Sequence, residues 1–312
     1  MAVADLSKLL RSSSINRILI TGASGWIGRE TIALLQPILG DDFSRRVTLA
    51  GSRDAIIAVN ERTHHVKKLR DIGSDQRFDL VIHLAFLTQD KAKELGEVEF
   101  AHLNRELTAF VYDLCQSAKA KYVLVASSGA ANPQVWQRYE NPSKKLYGQL
   151  KQESEELFMQ LQKENKALVD VCRIWSISGA QIQSPQKYAL GDFIIQAKST
   201  GNIELGTAGV VKRAYVDAGE LVSVLLLNLL TGGNGILDSG GFETTLQNLA
   251  RLVLDEFNPR GGVFLPKNST LDGKDIYVPD LVPFNILAEK LDVRLSSLDE
   301  QIRRTAKAQF FH

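Results

Sequence analysis

Cysteine is scarce in this chain: Cys115 and Cys172 are the only two among 312 residues. That excludes a disulfide framework and a thiolate zinc site, and each cysteine lies in an apolar run as a small buried hydrophobe. A surplus of either charge is also lacking. Lys and Arg number 37 against 36 Asp and Glu, a formal net charge of +1. A nucleic-acid binder usually carries a basic excess, so that class of partner finds no support, while a local basic groove for a phosphorylated ligand stays open. Long hydrophobic runs are missing too. The longest, residues 221–230, is broken by Ser223 and Asn228 and is far too short to span a bilayer. Residues 1–16 lack the apolar core of a signal peptide. The chain shows no internal repeat and no low-complexity segment. The expectation is a soluble protein of the reducing cytoplasm, without a metal site and without a membrane partner.

What is present is an ordinary globular composition, 44% hydrophobic and 23% charged. The length allows one large domain, or a domain with a smaller lobe. Residues 1–14 form a polar lead-in ending in Ser12-Ser13-Ser14. Short apolar runs then alternate with helical periodicity. Strands are expected at 17–21, 47–50, 65–69 (the weakest), 79–85, 122–126 and 169–174. Helices are expected at 26–39, 97–119 and 142–164. Asn141 suits the cap of the last and Pro142 its first position, where a missing N–H is harmless. Such alternation implies parallel βαβ units in a doubly wound sheet, with ligands at the carboxyl ends of the strands. After Gly179 the pattern loosens into a smaller α/β lobe. The expected division is a nucleotide-binding unit at 15–178, with 210–238 packing back on it, and a substrate lobe at 179–209 and 239–312. One helix there, 218–230, is apolar enough to pack on the sheet.

Three features carry chemistry. Thr21-Gly22-Ala23-Ser24-Gly25-Trp26-Ile27-Gly28 follows the first strand and opens the first helix. The glycines permit a tight turn, close approach of a pyrophosphate and close helix–sheet packing, while the helix start offers free N–H groups. Gly22, Ser24, Gly25, Trp26, Ile27 and Gly28 are therefore candidate dinucleotide contacts in a Rossmann fold. At the end of the second strand stand Ser52 and Arg53, where an NAD site would place an acidic residue. Arg53 suits a 2′-phosphate, which favours NADP and leaves NAD possible. Finally, Tyr147 and Lys151 are four residues apart on one helix face, with Ser128 at the end of the fifth strand. A fixed cation is expected to lower the tyrosine pKa and ready the phenol for acid–base work.

In this order, these features resemble the extended short-chain dehydrogenase/reductase family, within it the NAD(P)-dependent sugar-nucleotide epimerase/dehydratase group. The resemblance spans residue 16 to the end. It adds Asp71-Ile72 as an adenine-contacting pair, His83-Leu84-Ala85 as an H-x-A strand end followed by Phe86, and the helix asparagine Asn104. It implies that Tyr147 is the acid/base, that Lys151 tunes it and holds the nicotinamide ribose, and that Ser128 bonds the reacting oxygen. Residues 173–179 are similar to the family's R-P-x-N-x-Y-G, which puts Ile174 and Ser176 near the cofactor and Trp175 and Ser176 near the substrate. Arg213 matches an arginine that often meets a nucleotide diphosphate, with a plain surface charge equally open. Ile174 and Ser176 depart from the pattern, and Ala214 stands where the family has aspartate. Gly129-Ala130 replace the Asp-Glu pair of sugar dehydratases, which disfavours elimination of water. The implied activity is an NAD(P)-dependent epimerase or ketoreductase of a nucleotide sugar. A reductase of another small carbonyl compound and a cofactor-sensing protein without chemistry are the alternatives. The resemblance also implies a homodimer through a four-helix bundle built from helices 97–119 and 142–164.

Overall fold

A computed structural model describes residues 2–11, 15–165, 167–266 and 274–308; the expected serine run at 12–14 lies outside them. The helices are α1 (Ala2–Leu10), α2 (Trp26–Leu39), α3 (Phe43–Arg46), α4 (Gln89–Leu95), α5 (Glu97–Ala118), α6 (Pro133–Trp136), α7 (Pro142–Asn165), α8 (Ala189–Ser199), α9 (Ala218–Leu230), α10 (Leu246–Phe257), α11 (Val282–Lys290) and α12 (Leu298–Thr305). The strands are β1 (Ile18–Thr21), β2 (Val47–Gly51), β3 (Ala55–Val59), β4 (Arg62–Lys68), β5 (Leu80–His83), β6 (Tyr122–Ser128), β7 (Leu168–Ile174), β8 (Ser176–Ser178), β9 (Ile203–Glu204), β10 (Val210–Asp217), β11 (Gly235–Asp238), β12 (Phe242–Thr245), β13 (Val263–Phe264) and β14 (Lys274–Tyr277).

Eight strands form the main sheet in the order β11-β7-β6-β5-β1-β2-β4-β3, every pair parallel except β3–β4. The continuous apolar runs are the cause. All four residues of β1 are buried, Ile18 and Ile20 against the α1/α2/α9 side and Leu19 against the α5/α7 side. A strand buried on both faces needs helices on both faces, which is the doubly wound, Rossmann-like arrangement. The chain reverses direction across the sheet between β1 and β5, the point at which doubly wound sheets bind ligands beyond the strand ends.

Two expectations change. The weak third strand at 65–69 is the later part of a hairpin whose first arm, β3, went unforeseen. Asn60 and Glu61 both take positive φ (47° and 64°) at its turn, the conformation that a tight antiparallel hairpin demands. The second concerns 210–238. In residues 218–238, α9 packs on the core of the large sheet and β11 is its last strand. Residues 210–217 instead form the centre of a second sheet, flanked by β12, β14 and β8. A separate apolar core of α8, α10 and α12 covers that sheet. Among the described residues no helix is long and apolar enough to cross a membrane, and no three His, Cys, Asp or Glu side chains are grouped to hold a metal.

Candidate active site

The glycine turn sits at the β1/β5 reversal. Gly22 has φ +69°, and a Cβ there would lie 2.7 Å from Ala85 N and 2.8 Å from Leu84 C. A Cβ on Gly28 would lie 2.4 Å from Gly22 O and 2.7 Å from Ala23 Cα. Both positions therefore require glycine for backbone to pass backbone. Gly25 caps α2 without a side-chain hydrogen bond, so no side chain of the cap competes for the first-turn N–H groups. The strip opposite is held firmly. Leu84 N and Ala85 N each donate to Thr21 Oγ1 at 3.2 Å, and that hydroxyl lies 2.8 Å from His83 Nδ1. With both lone pairs occupied, the hydroxyl gives its proton to Nδ1, which leaves the ring proton on Nε2. Burial, with the nearby Lys151 charge, lowers the His83 pKa to about 3. It is a neutral structural histidine. Asn104, 1% exposed, accepts from Leu87 N at 2.9 Å and donates to Phe100 O at 3.2 Å. Its visible work is to pin the loop after β5.

At the end of β2, Ser52 and Arg53 are exposed. The nearby Asp54 carboxylate is engaged by Lys68 N at 3.2 Å. Asp71 is exposed on the turn after β4, while Ile72 is buried in the core.

The proposed chemical groups meet at the ends of β6 and β7. The α7 start is capped as expected, Asn141 Oδ1 accepting from Lys144 N at 3.1 Å. Tyr147 and Lys151 project from one face. Phe86 joins both, its ring 5.9 Å edge-on from Tyr147 and 3.8 Å beneath Lys151 Nζ. Lys151, 6% exposed, donates to Ala126 O at 2.8 Å. Burial lowers its pKa to about 7 against the favourable charge of Glu155. Burial also raises Tyr147 to about 12, opposed by the neighbouring Ser128 hydroxyl. The expected lowering of the phenol by Lys151 is not found. Burial disfavours the ammonium and the phenolate alike, and for the phenol it prevails.

The second sheet supplies a wall that the sequence did not announce. Tyr277 OH is 3.3 Å from Ser128 Oγ, and the Tyr277 ring stacks on Trp175 with centroids 4.4 Å apart. Trp175 lies over Gly129, where a Cβ would come within 2.4 Å of the indole, and its Nε1 donates to Asp238 at 2.7 Å. Arg213 stands 5.7 Å from the Tyr277 ring but is held by Asp275, Nη2 to Oδ2 at 2.6 Å. Ser176 pairs with Tyr215 in the second sheet, and Ile174 pairs with Ser128 in the main one. Trp136, on α6, donates from Nε1 to Gln152 Oε1 on α7 at 3.1 Å. The site thus unites Ser128, Tyr147, Lys151, Phe86 and Trp175. Ser52, Arg53 and Asp71 stand at the ends of β2 and β4, beyond the glycine turn from them.

The model of the NAD dependent epimerase/dehydratase family matches residues 18–236. The chain belongs to that family, whose members are enzymes of the extended short-chain type. No curated protein sequence matches it. Among solved structures it is similar to the UDP-N-acetylglucosamine 4-epimerase of Methanobrevibacter ruminantium M1 in complex with UDP-N-acetylmuramic acid, at 17% identity and TM-score 0.72, covering 94% of this chain and 97% of that one. The UDP-glucose 4-epimerase of Thermotoga maritima with UDP-glucose aligns at 18% identity and TM-score 0.69, covering 93% and 97%. MoeE5 in complex with UDP-glucose and NAD aligns at 16% and 0.65, covering 93% and 97%. These likenesses carry the Rossmann-like fold.

Proposed function

We propose that this family member is an NAD(P)-dependent epimerase or ketoreductase of a nucleotide sugar, with Tyr147 as the acid/base. One observation carries the reading: Tyr147 and Lys151 meet over Phe86, just past the Leu84–Ala85 strip that the glycine turn approaches, with Ser128 beside the phenol. The turn suits a dinucleotide, because glycine at 22 and 28 lets it pack closely on the strip after β5 and on the α2 start, whose first N–H groups meet no capping side chain. The nicotinamide, when bound, supplies the hydride donor and acceptor. The α2 start offers its N–H groups to the pyrophosphate. Ser128 orients the reacting oxygen, and the Tyr147 phenol takes or gives its proton. Lys151, anchored by one proton on Ala126 O, has two more for ribose hydroxyls. Gly129 and Ala130 bring no carboxylate beside Ser128, which speaks against dehydration. Tyr147→Phe keeps the ring and is expected to abolish turnover while the cofactor still binds. Unchanged turnover refutes the assignment.

NADP is the favoured cofactor, since Arg53 stands exposed at the end of β2 and no acidic side chain precedes it there. A second reading, reduction of another small carbonyl compound, draws on Arg213: its guanidinium reaches a diphosphate only by leaving Asp275. A set of nucleotide sugars that never shifts the melting temperature favours that reading. The unit at 15–178 holds the dinucleotide, and the lobe around the second sheet holds the substrate. Helices α5 and α7 form the face on which a second copy packs as a four-helix bundle; a monomer mass in light scattering removes that part of the proposal.

A further inference from the structure

The α7 face that carries Tyr147 and Lys151 continues to Glu155, at the same four-residue step. Three consecutive residues of β6 receive the three side chains. Ser128 stands beside Tyr147, Ala126 O takes the Lys151 proton at 2.8 Å, and the Ser127 hydroxyl donates to Glu155 Oε1 at 2.5 Å. Arg173, in register with Ser127 on β7, closes the arrangement. Its Nε donates to the two Glu155 oxygens at 2.9 and 3.1 Å, and its Nη2 to Oε2 at 2.7 Å. Glu155 is 1% exposed. A buried ion pair adds little net stability over apolar side chains of the same volume, yet this one lies a single helical turn from the lysine.

We propose that Glu155, locked by Arg173 and Ser127, is a positioning residue that fixes α7 on β6 and keeps Lys151 cationic beside Tyr147. The proposal rests on the acid/base reading above. The charged and titratable groups facing Lys151 are few. They are Glu155 on α7 and the neutral His83 on β5, with Arg173 of β7 behind Glu155 as its ion-pair partner and Tyr147 one turn away on the same helix face. Glu155 is the influence that favours the ammonium where burial opposes it.

Glu155→Gln is expected to shift the alkaline limb of the turnover profile to lower pH by roughly one unit. At fixed pH 7.5, kcat falls about tenfold while KM holds. The Lys151 titration is read separately, by NMR of lysine carrying 13C at Cε, its signal assigned by its loss in Lys151→Met. Glu155→Gln/Arg173→Met removes the arginine that would otherwise be left buried and unpaired, and a smaller shift in the same direction is expected there, because the two charges of the pair leave together. A Lys151 titration and pH limb that stay in place in folded Glu155→Gln overturn the proposal, and the double variant shows whether the fold at this pair survives without its charges. If Tyr147→Phe retains turnover, the acid/base reading fails, and the NMR titration still decides the role of Glu155.

Discussion

Lys151→Met tests the physical core of the site without any ligand. Burial takes the Lys151 pKa from 10.5 to about 7. At about 1.4 kcal/mol per pH unit, holding the ammonium inside the fold costs roughly 4 to 5 kcal/mol below pH 7. The sign follows from proton binding. Between about pH 7 and 10.5 the unfolded chain keeps this proton and the folded chain has lost it. The unfolded state binds more protons, so this group makes stability rise with pH across that window. Methionine matches the length of the stem and carries no charge. It forfeits the bond to Ala126 O, worth about 1 kcal/mol. The variant is therefore expected to be more stable than the parent by about 3 kcal/mol near pH 6.5, and the gap to shrink by about 2 kcal/mol at pH 9. Urea unfolding of both proteins at the two pH values measures it, with equal m-values as the control. A gap of the same size at both values refutes the argument, since only a titrating group makes it depend on pH.

Gly28→Ala sets a methyl within 2.4 Å of Gly22 O and 2.7 Å of Ala23 Cα. The helix must retreat from the turn, which is expected to cost about 1 to 3 kcal/mol in thermal unfolding. Calorimetric titration is expected to show cofactor affinity reduced at least about a hundredfold, since the helix start no longer meets the pyrophosphate. Arg53→Ala is expected to weaken NADPH about tenfold and leave NADH unaltered; equal losses for both would remove the assignment to a 2′-phosphate.

Much of the fold was legible because buried parallel strands and their helices leave strong local marks. The bounds of α2 and α9 follow directly from glycine punctuation and apolar content. Strand β3 leaves a weaker one. It is an edge strand with Ile56 fully on the surface side, 75% exposed, and its hairpin turn uses Asn60-Glu61 where glycine would have signalled it. The Tyr147/Lys151 pair was legible from its spacing, and the same step leads to Glu155. Tyr277 was not. It lies 149 residues beyond Ser128 and arrives through the parallel pairing of β14 with β10, a contact no local pattern encodes. Arg213 shows the same limit, because its partner Asp275 comes with that strand.

Spacing fixes which side chains share a face but says nothing about how dry that face is, and the dryness decides the chemistry here. On an exposed helix the ammonium would hold its proton and ease the phenol toward ionisation. In this site burial drives the two groups in the opposite sense, Lys151 to about 7 and Tyr147 to about 12. The amine alone thus cannot make the phenol a base near neutral pH. Added positive charge is required, and an oxidised nicotinamide is a cation. The ligand-free protein then keeps a neutral, inert tyrosine, and binding of the oxidised cofactor is expected to bring its ionisation toward the working range. Tyrosinate absorbance at 295 nm, as the difference between the parent and Tyr147→Phe, reads this directly. Ionisation of Tyr147 below pH 9 without cofactor would show that the lysine suffices after all.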